Sequence, residues 1–269
     1  MDSILFNAVP RSILFFVSLA GALVSFELGF AIGKRRQSRN SDEEKNVSPM
    51  VAGVLGLVAF ILALTFSLAV NRFDQRRQNV LSDANAISTA YLRAYLVADP
   101  QGARIRQLLD EYTDLRAHFL DVGGARTLQD KVQALQSDIW KQVIALSRAS
   151  PGPSTASLAA MLNEVFDLHE KRVNDAIYSR FGSNVWIVLI SIVLLGMLML
   201  GVQNGLTGKK SLIGLFPFAF ALSAMITLIA DLDHPQAGMF VVSQQPMLDT
   251  LASIRSFDSS LGEKISPAP

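Results

Sequence analysis

The residues best placed to do chemistry lie along one hydrophobic run, Met50–Val70. Ala52, Gly56, Ala59, Ala63 and Ser67, then Val70 or Asn71, recur every three or four residues. That spacing puts them on one face of a helix. A face this small has two readings. It is a seam along which another helix packs closely in lipid, or it is the wall of a pore. In the pore reading, neighbours such as Phe60, Thr65 and Phe66 set the narrow point, and a hydrophobic constriction gates by dewetting. The pore-lining candidates are therefore Phe60, Ala63, Thr65, Phe66, Ser67 and Asn71.

Charged candidates stand at the ends of such runs. Arg72, Arg76 and Arg77 follow the second run directly. A ring of arginines in an oligomer concentrates small anions at a pore mouth. The same group also suits anionic lipid headgroups or salt bridges. Asp231 and Asp233 close the last run on the same side, which reads as a juxtamembrane salt-bridge cluster. Two carboxylates fall short of the roughly six to eight oxygens that calcium takes. Glu27 is the acid inside a run. Charge within the membrane costs at least about 2.5–3.5 kcal/mol and marks a functional site by default. Yet Glu27 is less than two turns from Lys34, near the interface, where it reaches headgroups or pairs with Lys209 or Lys210. Gly29 and Gly33 form a GxxxG in the same run, a sign of close helix contact.

Catalytic patterns are absent. The chain has no cysteine, which excludes disulfides, thiol catalysis and thiolate metal sites. His118 and His169 fall on different segments, and His169 with Asp167 and Glu170 reads as a solvated helix face rather than a metal site. Gly208-Lys209-Lys210-Ser211 hints at a P-loop, but Gln203 occupies the place of the required earlier glycine. No HExxH and no Ser-His-Asp spacing occurs. The sequence reads as neither an enzyme nor a cofactor protein.

Four apolar runs must position these residues: Ser12–Gly33, Met50–Val70, Val185–Gly201 and Ser211–Ala230. About 20 apolar residues in a helix cross a hydrocarbon core of about 30 Å, and a helix satisfies its own backbone there. Hydrophobic residues make up 50% of the 269 and charged ones 17%, which is a membrane composition. The net charge of +1 suggests no nucleic-acid partner. The first run ends in Gly33-Lys34-Arg35-Arg36 rather than a cleavage site and reads as a retained anchor.

Four spans put the N-terminus, the middle segment and the tail on one side, with loops 34–49 and 204–210 on the other. Lys and Arg do not choose the orientation. The loops carry Lys34, Arg35, Arg36, Arg39, Lys45, Lys209 and Lys210; the other side carries Arg11, Arg72, Arg76, Arg77, Lys171, Arg172 and Arg180.

Ser48 reads as an N-cap and Pro49 as the first residue of the second span. No breaker follows until Pro100. Phe73, Val80, Ile87 and Ala94 continue the pattern every seven residues, so one helix leaves the membrane and projects roughly 40 Å beyond it. Shorter amphipathic helices follow at about 102–120, stopping at Gly123-Gly124, and about 128–148, stopping at Pro151-Gly152-Pro153. Ser154 caps a helix that runs into the third span unless Gly182-Ser183-Asn184 kinks it. Pro217 kinks the fourth span or opens it, and Asp231-Leu232-Asp233-His234-Pro235 closes it. A partly apolar stretch from Met239 to Phe257 folds back, and the last residues read as disordered. The expected fold is all-α, a four-span bundle with a helical extramembrane domain. Its segments are 1–71, 72–184, 185–231 and 232–269.

Asn71-Arg72-Phe73-Asp74-Gln75-Arg76-Arg77 and Ala84-Asn85-Ala86-Ile87-Ser88-Thr89-Ala90-Tyr91-Leu92-Arg93 resemble the bacterial bestrophin-like family. Asp231-Leu232-Asp233-His234-Pro235 with Val242-Ser243-Gln244-Gln245-Pro246 resembles that family's C-terminal signature, in which Arg is usual at the place of His234. The layout is also distantly similar to bestrophin anion channels. That resemblance implies a pentameric homo-oligomer in the bacterial inner membrane, with the helical domain and both termini cytosolic. It further implies a second span lining a path for small anions. The competing expectation is a non-conducting membrane scaffold or sensor whose helical domain docks a partner, a reading the heptad stripe fits equally well.

Overall fold

A computed structural model describes residues 11–36, 42–118, 125–177, 181–208, 210–234 and 239–265. Among these there are eight helices and no strand: α1 Arg11–Arg36, α2 Asp42–Arg93, α3 Gln101–Ala117, α4 Ala125–Ala149, α5 Pro153–Ile177, α6 Ser183–Thr207, α7 Leu212–Asp233 and α8 Gln245–Ile265. Four of them, α1, α2, α6 and α7, are long and apolar enough to cross a membrane.

The chain forms two compact units. The first comprises residues up to Asp74 together with Ser179–Val241. Here α6 and α7 are central. With α2 they bury Val58, Leu62, Trp186, Leu189, Val193, Ile226 and Ile229. With α1 they bury Ala22, Phe26, Met197, Leu215 and Ala219. The α1–α6 contact is a glycine seam. A Cβ on Gly29 would lie 2.0 Å from the Leu198 carbonyl oxygen, and one on Gly201 would lie 2.1 Å from that of Phe26. Gly33 and Gly205 repeat the relationship one turn on, with a Cβ on Gly33 2.2 Å from the Val202 carbonyl oxygen. The GxxxG of α1 thus serves contact inside the chain, and its partner is Gly201xxxGly205. In lipid such backbone approach supplies van der Waals contact where no hydrophobic drive exists.

The second unit comprises Gln75–Tyr178 and Val242–Pro269. Most of the heptad stripe is covered inside it: Val80 and Ile87 of α2 and Ala94 just past its end are buried, as are Ile105, Leu108 and Leu109 of α3, Ile139 and Leu146 of α4, and Leu158, Leu162 and Val165 of α5. The stretch expected to fold back becomes α8, which buries Met247, Leu251 and Ile254. Arg255 of α8 donates to Asp110 at 3.0 Å and to Asp114 at 3.0 Å on α3.

Four local expectations change. The second spanning helix starts at Asp42, so Pro49 lies inside it. Ser48 does not cap; its hydroxyl accepts from Gln203 Nε2 at 3.0 Å. The helix ends at Arg93, before Pro100. In α5 the first residue is Pro153 and Ser154 is already helical. Pro suits that position because its missing N–H would have no partner there. The largest change concerns α5 and α6, which are not one helix. Gly182 is extended, with φ −62° and ψ 153°, and its carbonyl accepts from Val185 N at 3.0 Å to start α6 anew.

Pro217 is in the interior of α7, the sixth residue from Leu212. The expected stops at Gly123-Gly124 and Pro235, and the expected disorder of the final residues 266–269, lie outside the described residues. Residues 261–265 are helical.

Candidate functional site

Along α2 the small stripe is left uncovered. Ala52, Gly56, Ala59, Ala63, Ser67 and Asn71 are all exposed, and an added Cβ on Gly56 would meet nothing within 4 Å. Phe60 is on the same open side. Thr65 and Phe66 are not. Thr65 is buried and its hydroxyl donates to the Ile61 carbonyl at 2.7 Å. Phe66 packs against the core made by α2, α6 and α7. The six candidates therefore divide: Phe60, Ala63, Ser67 and Asn71 share an open face, and Thr65 and Phe66 face inward. Beside the small stripe runs a second exposed stripe of large residues, Met50, Leu57, Leu64 and Leu68. The other spanning helices expose mainly large side chains, among them Phe16, Val17, Val24 and Leu28 of α1, Ile187 and Leu195 of α6, and Ile213 and Phe216 of α7.

The stripe ends at a carboxylate junction. Arg72 Nη1 donates to Asp233 Oδ1 at 3.3 Å. The Phe181 backbone N–H donates to the same carboxylate at 3.1 Å. The Arg72 guanidinium also lies over the Phe181 ring, 4.0 Å from its centroid, a cation–π arrangement. Asp233 thus captures the N–H released where the helix is interrupted before Gly182. Asp231, two residues earlier, works in the same way. It accepts from Arg11 Nε at 3.3 Å and from the Met239 and Phe240 N–H groups at 2.9 and 3.1 Å. Both carboxylates are buried, and charge-assisted bonds of this kind are roughly twice as strong as neutral ones.

Asp231 and Asp233 form a salt-bridge junction with Arg11 and Arg72. Of the other two expected arginines, Arg76 is buried and Arg77 is exposed. No local pattern signals the part of Arg11 in the junction. Among the described residues no group of three His, Cys, Asp or Glu side chains could hold a metal ion.

Glu27 pairs with Lys210, Nζ to Oε1 at 2.5 Å, over the ring of Phe30. Lys209, the other expected partner, lies outside the described residues.

The second unit holds a buried polar cluster that sequence reasoning missed. Asp83 on α2 is fully buried and accepts from Arg116 of α3 and, at 2.6 Å, from Arg172 of α5. Arg172 also donates to Gln244 Oε1 at 2.9 Å. Arg116 contacts Nδ1 of His169. An arginine only donates, so Nδ1 accepts and the ring carries its proton on Nε2. His169 is therefore no solvated-face histidine. Burial, then the nearby Arg116 charge, pushes its pKa down to about 3, against the opposing pull of Asp83. Arg172 is pushed down to about 10 by burial and by Arg116. The available clue was Asp83, an acid on the apolar face between Val80 and Ile87. His118 stays apart, half-exposed, with Nδ1 3.0 Å from the Asp114 carbonyl.

The profile of the family described as Bestrophin-like domain matches residues 15–247. The chain belongs to the bestrophin-like family. No curated protein and no solved structure matches it. The matched stretch of this bestrophin-like protein contains the uncovered stripe, both carboxylates of the junction and the Asp83 cluster. Family membership and the four apolar helices together make it a membrane protein.

Proposed function

We propose that this bestrophin-like protein is a homo-oligomeric channel for small anions, with the open face of α2 lining the path. The observation that carries the reading is the contrast between helices. Three spanning helices turn mainly large apolar side chains outward, as lipid contact requires. The fourth, α2, also leaves Ala52, Gly56, Ala59, Ala63, Ser67 and Asn71 uncovered. Facing lipid, such a stripe forgoes contact that larger side chains would make. Facing the same stripe of neighbouring copies around an axis, it leaves a narrow lumen, with Phe60 as the residue large enough to constrict it.

Family membership supports a pentamer in a bacterial inner membrane, with the helical unit and both termini cytosolic. The arginines after Asn71 then favour anions over cations at the inner mouth, chiefly through exposed Arg77. The alternative, a scaffold or sensor whose helical domain docks a partner, is less favoured because Val80, Ile87 and Ala94 of the heptad stripe are already buried within the chain.

The chain has no native cysteine, so single cysteines can be placed along α2 without background. In reconstituted protein a membrane-impermeant thiol reagent is expected to label positions 56, 63 and 67 and to spare 57, 64 and 68. Equal protection of both sets, with no anion flux, would remove the pore.

A further inference from the structure

We propose that the groove between α4 and α5 is a binding site for a small amphiphilic anion, a carboxylate on a short apolar chain. This does not depend on the channel reading. The cavity has a volume of about 430 Å³, within the range of about 300–1,000 Å³ usual for small-molecule sites. Its origin is a mismatch in side-chain size. Trp140 and Ile144 on α4 face Ala156 and Ala159 on α5. Large residues opposite alanines leave a trough that neither helix fills, and Ile144 remains 43% exposed in it.

The trough is firmly held. The Trp140 ring meets Phe166 edge-on at 6.3 Å between centroids. The Thr155 hydroxyl donates to the Ser150 carbonyl at 2.8 Å, which braces the turn at its end.

Besides Thr155, whose hydroxyl is already used, two polar side chains line this apolar space, Ser147 and Arg148. Several other arginines of the unit are held by the fold. Arg93 donates to the Ser157 carbonyl, Arg106 to Asp99, Arg172 to Asp83 and Arg255 to Asp110. Among the described residues Arg148 has no hydrogen-bond or ion-pair partner, and the Ser147 hydroxyl has none either. A guanidinium at the edge of an apolar pocket selects a planar anion that accepts two parallel N–H bonds, which is a carboxylate. The alanine floor and the Trp140 face take the apolar chain.

The test uses the full chain in lipid nanodiscs, with octanoate as the probe and octanamide as its neutral match. The protein has two tryptophans, so Trp186→Phe leaves Trp140 as the only indole reporter, and calorimetry on the unsubstituted chain checks the constant. Octanoate is expected to give a saturable fluorescence change and to bind about tenfold tighter than octanamide. Arg148→Gln should erase that difference while leaving octanamide binding in place. Ala156→Trp, which fills the trough, should abolish both, as read by calorimetry because the added indole would mask the Trp140 signal. A response that never saturates, or that Ala156→Trp leaves intact, overturns the site. So does an Ala156→Trp chain that changes oligomer mass while octanoate has no effect on the parent, because the groove is then covered by a second copy.

Discussion

Arg72 and Asp233, 161 positions apart in the chain, meet at 3.3 Å, and the carboxylate that receives the guanidinium also receives the Phe181 N–H. One side chain therefore ties together α2 just past its open stripe, the end of α7, and the extended residues that precede α6. Any change in the tilt of α2 has to strain or break this bond.

Replacing Asp233 should separate its charge from its acceptance of the Phe181 N–H. Asp233→Asn keeps an acceptor for the Phe181 N–H and loses the charge, so its cost should be near the low end of about 1.5–3 kcal/mol for a charged bond, because Arg72 is partly exposed. Asp233→Leu also strands the N–H, adding about 1–3 kcal/mol. Thermal unfolding in detergent should rank them in that order. Adding Arg72→Gln to Asp233→Asn should cost little more. Fully additive losses would mean the pair does not interact.

The glycines of the chain should divide sharply. Gly29→Ala and Gly201→Ala put a Cβ 2.0–2.1 Å from backbone oxygen and should destabilise the fold strongly, since rigid backbone must move. Gly53→Ala meets nothing within 4 Å and should be neutral or gain about 0.5–1 kcal/mol from helix propensity. Melting temperatures of the three purified variants decide this. Equal losses at all three positions would contradict the α1–α6 seam.

His169 should make the second unit acid-sensitive. The unfolded chain takes up a proton near pH 6.5, whereas the folded ring, beside Arg116, resists until about 3. Between these values the unfolded state binds more protons, so stability is complete above about pH 6.5 and is lost as pH falls toward 3. His169→Gln retains a group that accepts from Arg116 but does not titrate. The fall in melting temperature between pH 7.5 and pH 5 should be smaller in that variant. An identical pH dependence would show that His169 does not carry the effect.

The spans, the long second helix and the amphipathic helices of the second unit were legible because apolar period reports burial directly. The small stripe was legible for the same reason, but not which of its neighbours share the open side. Thr65 and Phe66 differ from Ser67 by a rotation of 100–200° about the helix, and only packing against α6 and α7 reveals which side is covered. Pairings across long separations carry no period at all. Arg11 with Asp231, Asp83 with Arg116 and Arg172, and Gly29 with Gly201xxxGly205 depend on the tertiary arrangement of the helices. The break at Gly182 was anticipated as a kink; that Asp233 would hold the released N–H was not.

The most direct test of the channel is anion flux through purified protein in liposomes, measured with the single substitution Ala63→Cys. The account predicts flux well above that of empty vesicles, and a large, reductant-reversible block when a bulky, charged methanethiosulfonate modifies position 63. Leu64→Cys, one residue away on the lipid side, should conduct and stay unblocked. Protein that assembles normally yet passes no anion, or a block equal at both positions, would contradict it.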